Sequence, residues 1–120
     1  MDSAGSVAVH GQLTRLYAAF NRRDVPTVLT AMTADVVWPN GWEGGVVHGH
    51  DEVSAYWKRQ WSQLDPSVTP TAFHTEPDGR IAVTVHQVVR DKAGTVLADH
   101  TVTHVYRFAN GLVAEMEIRD

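Results

Sequence analysis

One histidine sits where an acid/base group would be of use. From His100 to Ile118 the even positions read His100, Val102, His104, Tyr106 and Phe108, then Leu112, Ala114, Met116 and Ile118. The odd positions carry Thr101, Thr103, Val105, Arg107, Val113, Glu115, Glu117 and Arg119. Alternation of period two predicts two strands with one buried face, and Asn110-Gly111 supplies a turn that tolerates positive φ. His104 then projects into the apolar side of a hairpin. An imidazole with a reference pKa of about 6.5 can act as acid, base or hydrogen-bond donor at cellular pH. In that setting it is either a catalytic group facing a cavity or a core histidine bonded to a carbonyl or a tyrosine.

Other residue types suit chemistry less directly. His100 lies four residues from His104 on the same strand face, about 13 Å away, too far to share a metal ion. His48-Gly49-His50 is too slight a pair to predict one, so neither a metal nor a cofactor is expected. On the strand Ile81 to Val89 the parity of Ile81, Val83 and Val85 turns Gln87 inward and His86 outward; a bulge would reverse them. Either could offer a ligand a hydrogen bond. Trp38 and Asn40 share strand parity through Pro39. Asn40 is read either as a group orienting a substrate oxygen or as a turn residue before Gly41. Tyr56, Trp57 and Trp61 are expected to wall a cavity opposite the sheet, with Tyr106 beside His104, unless they are plain core packing. Asp35 reads as a structural cap or turn contact and Glu43 as a loop carboxylate near the mouth. Glu115 and Glu117 fall on the outer parity. No Ser-His-Asp spacing and no phosphate-binding glycine loop is present.

These side chains must be held by a particular order of elements. Val9, Leu13, Leu16, Tyr17 and Phe20 form a helical stripe, predicting a helix from about 6 to 21. Asp24 is a natural N-cap and Pro26 fits the first turn of a second helix ending near Thr33-Ala34. Asp35 to Trp38 reads as a short strand and Asn40 to Gly49 as a loop or loose hairpin. A third helix begins near His50, with Val53, Trp57, Trp61 and Leu64 as its stripe, and Asp65-Pro66 stops it. A strand is expected over Val68 to Thr75, then strands over Ile81 to Val89, Thr95 to Phe108 and Leu112 to Arg119. Helices first and antiparallel strands after predict an α+β fold with about three N-terminal helices on one face of a curved sheet.

Composition narrows the partners. The chain has 120 residues, no cysteine and a formal charge of −4. Such a length suits one domain, 1–120, with an ordered core of about 6–119. The longest basic runs, Arg22-Arg23 and Lys58-Arg59, are too short for a nucleic-acid surface. No thiol chemistry is possible. Met1 to Ser6 lacks a signal-peptide pattern and no stretch reaches the length of a membrane span, so a cytoplasmic location and no membrane partner are expected.

The segments LYAAFNRRDVPTVLTAMTADVVW, HGHDEVSAYW and THVYRFANGLVAEMEI together resemble the nuclear-transport-factor-2-like superfamily in its SnoaL-like branch, over residues 8 to 119. The resemblance implies a cystatin-like cone, a pocket at its wide end and a homodimer through the outer sheet face, where Thr103 and Val105 are suited to contact. It implies a small apolar or aromatic ligand, handled by an isomerase, cyclase or hydrolase type of acid/base chemistry or by a non-catalytic binding module. Against the ketosteroid isomerases, the proton-shuttling Asp falls on Asn40, which is no base. The oxyanion-hole Tyr falls on Leu16, with Tyr17 one step round the helix as the nearby ligand-binding phenol. The second oxyanion donor falls on His104.

Overall fold

The computed structural model describes residues 3–119. The first helix, α1 (Ser3–Asn21), buries Leu13, Leu16 and Tyr17, the centre of the predicted stripe. Arg23 ends the corner in the left-handed region with φ 64°. The Asp24 carboxylate then caps α2 (Val25–Thr30), accepting from Thr27 N at 3.4 Å and from its hydroxyl at 2.7 Å, with Pro26 in the first turn. This helix stops short of the expected Thr33-Ala34. The Ala31 carbonyl is taken by Val113 N–H at 2.8 Å, which draws the following residues into the sheet as β1 (Met32–Pro39). Strand β1 is therefore twice the length expected from Asp35 to Trp38.

The expected loop after Asn40 contains a hairpin partner, β2 (Val46–His48), and leads into α3 (Gly49–Gln63). Gly49 has φ +77°, and a Cβ there would stand 3.3 Å from the Ala34 carbonyl oxygen, so both backbone and space demand glycine. His50 Nε2 donates to the Met32 carbonyl at 3.1 Å, tying α3 to β1. Four strands follow: β3 (Leu64–Thr75), β4 (Ile81–Asp91), β5 (Val96–Ala109) and β6 (Leu112–Arg119). The sheet order is β2-β1-β6-β5-β4-β3. All neighbours are antiparallel except β1 and β6, which run parallel. The excursion through β2, α3 and the β3–β6 meander brings the last strand beside the first in the same direction, so the sheet is mixed. Helices pack on one face of it, giving the α+β architecture predicted from element order.

Strand β3 begins four residues before the expected Val68, directly from α3 and through Pro66 and Pro70. It lies at the sheet edge, where a residue without an N–H is tolerated. Asn21 fastens α1 to this edge. Its Oδ1 accepts from Val68 N–H at 3.0 Å and its Nδ2 donates to the Val68 carbonyl at 2.7 Å. Arg23 adds a second fastening, donating to the Pro66 carbonyl at 2.7 Å and pairing with Asp65. Its guanidinium also lies 4.9 Å from the ring centre of Trp61.

On the outer sheet face Val105 is only 1% exposed, so it is not offered to a partner as its parity suggested. Its neighbours in register are Ala82 and Glu117, and Arg80, Glu117, Arg119 and Glu76 form a chain of ion pairs on that face. No helix among the described residues is long and apolar enough to cross a membrane.

Asn21→Ala should leave the Val68 edge groups to water and detach the helix end. We expect a loss of about 1–2 kcal/mol, read from the urea midpoint, with Asn21→Asp restoring only the bond accepted from Val68 N–H.

Candidate functional site

Between the helices and the sheet lies a cavity of about 860 Å³. Leu16, Tyr17 and Phe20 reach it from α1, Tyr56, Trp57 and Gln60 from α3, and Val37, Trp38 and Pro39 from β1. Strands β4 to β6 contribute Gln87, Val89, His100, Val102, His104, Tyr106 and Met116. The strand faces agree with the register: Val83 stands opposite His104, Val85 opposite Val102 and Gln87 opposite His100. Trp42, Val46, Leu97 and Ile118 also border the cavity and are exposed, so they form an apolar mouth. The inner wall is a continuous aromatic packing. Trp38 meets Trp57 edge-on at 5.7 Å, and Trp38 lies 6.2 Å from Tyr106.

The polar centre is a buried chain of three side chains. The Tyr106 hydroxyl donates to the Tyr17 oxygen at 2.7 Å. A hydroxyl has one proton, so Tyr17 directs its own to His104 Nδ1, 2.8 Å away. Nδ1 is thus the acceptor, and the proton of the neutral ring is assigned to Nε2. That atom has no protein partner among the described residues, and the ring lines the cavity. Tyr17 sits on α1 while His104 and Tyr106 sit two residues apart on one face of β5, so the chain bridges the two layers.

Burial decides the protonation states. Desolvation lowers the His104 pKa to about 4, so the ring is neutral at cellular pH. Desolvation, reinforced by the neighbouring Tyr106 phenol, raises Tyr17 well above its ordinary value. Burial raises Tyr106 strongly as well. All three groups are therefore uncharged, and the chain presents one N–H donor to whatever occupies the cavity. Tyr56 is also pushed up by burial, and Gln60 donates to its hydroxyl at 3.3 Å.

The remaining candidates divide. Trp38, Trp57, Tyr56, Tyr106, Tyr17 and Gln87 line the cavity with His104. Trp61 does not: it stacks on Trp57 at 5.8 Å and carries Arg23. His86 is exposed on the outer face and pairs with Asp99 at 2.6 Å, since no bulge interrupts β4 there. Asn40 is buried but is not a lining residue. Its Oδ1 accepts from Trp42 N and Glu43 N at 3.2 and 2.7 Å, and its Nδ2 donates to the Glu43 carboxylate. Those bonds use its amide to fold the loop, as in the turn reading of this residue. Glu43 is held by Arg59 at 3.0 Å, and these bonds lower its pKa. Glu115 and Glu117 reach the cavity's rim while paired with Arg107 and with Arg80 and Arg119. Among the described residues no three His, Asp or Glu side chains converge as a metal site.

Two placements complete the site. The family count put the oxyanion phenol on Leu16 with Tyr17 beside it; the phenol that meets His104 is Tyr17. His100, not singled out as a ligand group, lines the cavity on the parity of its even position.

The architecture has close counterparts. An NTF2-like protein of unknown function from Burkholderia pseudomallei is 32% identical and superposes with a TM-score of 0.79 over 92% of this chain and 89% of that one. TerC, co-crystallised with polyporic acid, is 26% identical with a TM-score of 0.79 over 92% and 89% of the two chains. A Mycobacterium tuberculosis protein in complex with estradiol-17β-hemisuccinate is 19% identical, with a TM-score of 0.73 over 86% and 85%, and shares the fold. No curated protein matches the sequence significantly. The SnoaL-like domain model matches residues 13–116, and the chain belongs to that family.

Proposed function

We propose that the cavity binds an uncharged apolar or aromatic small molecule and that His104 Nε2–H donates to one of its oxygens. The observation that carries this reading is the Tyr106–Tyr17–His104 chain, buried against an aromatic wall. A fixed N–H donor in a water-poor site stabilises oxygen on which negative charge develops, as in an enolate. That is the task of a cofactor-free isomerase or cyclase. The arrangement is preorganised, because Tyr17 holds the ring orientation and the tautomer before any ligand arrives. The relative co-crystallised with polyporic acid supports a ligand of aromatic type.

A second reading, binding without turnover, is favoured by one observation. The carboxylates that touch the cavity are Glu115 and Glu117, at its rim and in ion pairs, and Asn40 offers no base. Exchange of the α-protons of 2-tetralone in D2O, followed by NMR, separates the two. With the α-proton taken by a buffer base and a deuteron returned from D2O, stabilisation of the enolate oxygen by His104 should accelerate exchange over buffer alone, and His104→Ala should lower that acceleration about a hundredfold. Exchange at the buffer rate with calorimetric binding intact leaves the binding module. No binding of any apolar aromatic overturns both.

Tyr17→Phe should strand the Tyr106 hydroxyl and His104 Nδ1, costing about 1–3 kcal/mol in denaturant unfolding. Stability should also depend on pH through His104. An unfolded imidazole protonates at about 6.5, whereas the folded ring does so only at about 4. The unfolded chain therefore takes up the proton first, and stability falls as pH drops from about 6.5 to about 4. The contribution approaches about 3 kcal/mol at the acid end, and His104→Gln should remove it when urea midpoints are compared across that range.

A further inference from the structure

We propose that Gln87 and His100 form a second hydrogen-bonding pole of the cavity, which selects elongated, uncharged ligands with a polar group at each end. The inference rests on the cavity reading above. Gln87 and His100 are opposite one another in the β4–β5 register and both line the cavity. Gln87 is half-buried and His100 exposed, which places the pair toward the mouth. The surrounding wall is apolar, built from Leu64, Pro66, Val68, Val89, Leu97 and Ala98.

Within that wall these two are the groups able to direct a hydrogen bond into the space. The amide and the imidazole make no side-chain hydrogen bond among the described residues. Tyr56 and Gln60, by contrast, bond to each other along α3. A half-buried amide facing apolar surroundings gains from a ligand partner what it loses in hydration.

The spacing gives the ligand its length. His104 and His100 are four residues apart on the same face of β5, so the two poles stand about 13 Å apart. Val102 and Val85 lie between them as an apolar span. A flat, rod-like aromatic carrying an oxygen at either end can place one on His104 Nε2–H and the other between Gln87 and His100. Such a ligand is uncharged, because the carboxylates at the rim are already paired with arginines and the poles are an amide and two imidazoles. A molecule with one polar end would meet one pole and leave the other bare.

The test uses 4-hydroxystilbene and 4,4′-dihydroxystilbene as probes, with affinity measured by calorimetry on the wild-type chain, on Gln87→Leu/His100→Leu and on the exposed-site variant His100→Ala. Urea midpoints check that each variant is folded. One added neutral hydrogen bond corresponds to about a three- to tenfold gain. The diol should therefore bind the wild type about three- to tenfold more tightly than the mono-ol. The advantage of the diol over the mono-ol should shrink in His100→Ala and vanish in the double variant. An equal affinity of both probes for the wild type, or an advantage that survives in the double variant, overturns the second pole alone. Failure of the wild type to bind either probe overturns the cavity reading along with it.

Discussion

The hydrogen-bond chain Tyr106–Tyr17–His104 governs how this molecule is put together. Three polar groups are buried among valines and aromatic rings, where each unpaired one would cost about 1–3 kcal/mol. They satisfy one another only if α1 lies across β5 at one height and rotation. Helix–sheet packing by apolar contact alone tolerates some sliding, because the hydrophobic effect is non-directional. The two bonds remove that freedom. The same burial that makes the chain necessary also keeps it neutral, so structure and chemistry have one origin.

Around that chain the aromatic side chains have distinct duties. Trp57 lines the cavity, and Trp61 stacks on it, braced in turn by Phe20 and by the Arg23 guanidinium. Arg23 adopts the left-handed conformation that redirects the chain from α1 into α2. The corner that joins two helices thus also stiffens the wall from outside. On the opposite flank Asn40, Glu43 and Arg59 knit the loop after β1 to α3, which sets Trp42 at the mouth.

Much of this was legible in the residues, for reasons that differ by element. The β5–β6 hairpin and the inward side of His104 follow from strict alternation, which one buried face enforces. The same parity points Gln87 inward and His86 outward, but a bulge between them would reverse the two, and the sequence does not choose; the unbroken β4–β5 register there does. Asp24 as a cap needs only its local neighbours. What escaped depends on partners distant in sequence. Strand β3 is longer than its expected Val68 to Thr75 because Asp65-Pro66 reads locally as a helix stop, whereas at a sheet edge Pro66 is tolerated in the strand, and edge position is a property of the whole sheet. Asn40 looked like a cavity residue by parity, yet the glycine-rich loop folds back onto its amide. Tyr17 differs from Leu16 by about 100° on the helix, and nothing local says which of the two meets β5. The parallel β1–β6 pair needs the entire excursion between them.

The margin of the sheet has a consequence for behaviour in a crowded solution. In an antiparallel ladder alternate residues turn their backbone groups away from the partner strand, and on β3 those residues include Pro66, Val68 and Pro70. Two lack an N–H altogether, and the third spends both backbone groups on Asn21. The Pro66 carbonyl is claimed by Arg23. The other margin, β2, is three residues long. The first half of β3 and the short β2 thus offer a foreign strand few free donors and acceptors, and on β3 the side chains that deny them, Asn21 and Arg23, also hold the helix end in place.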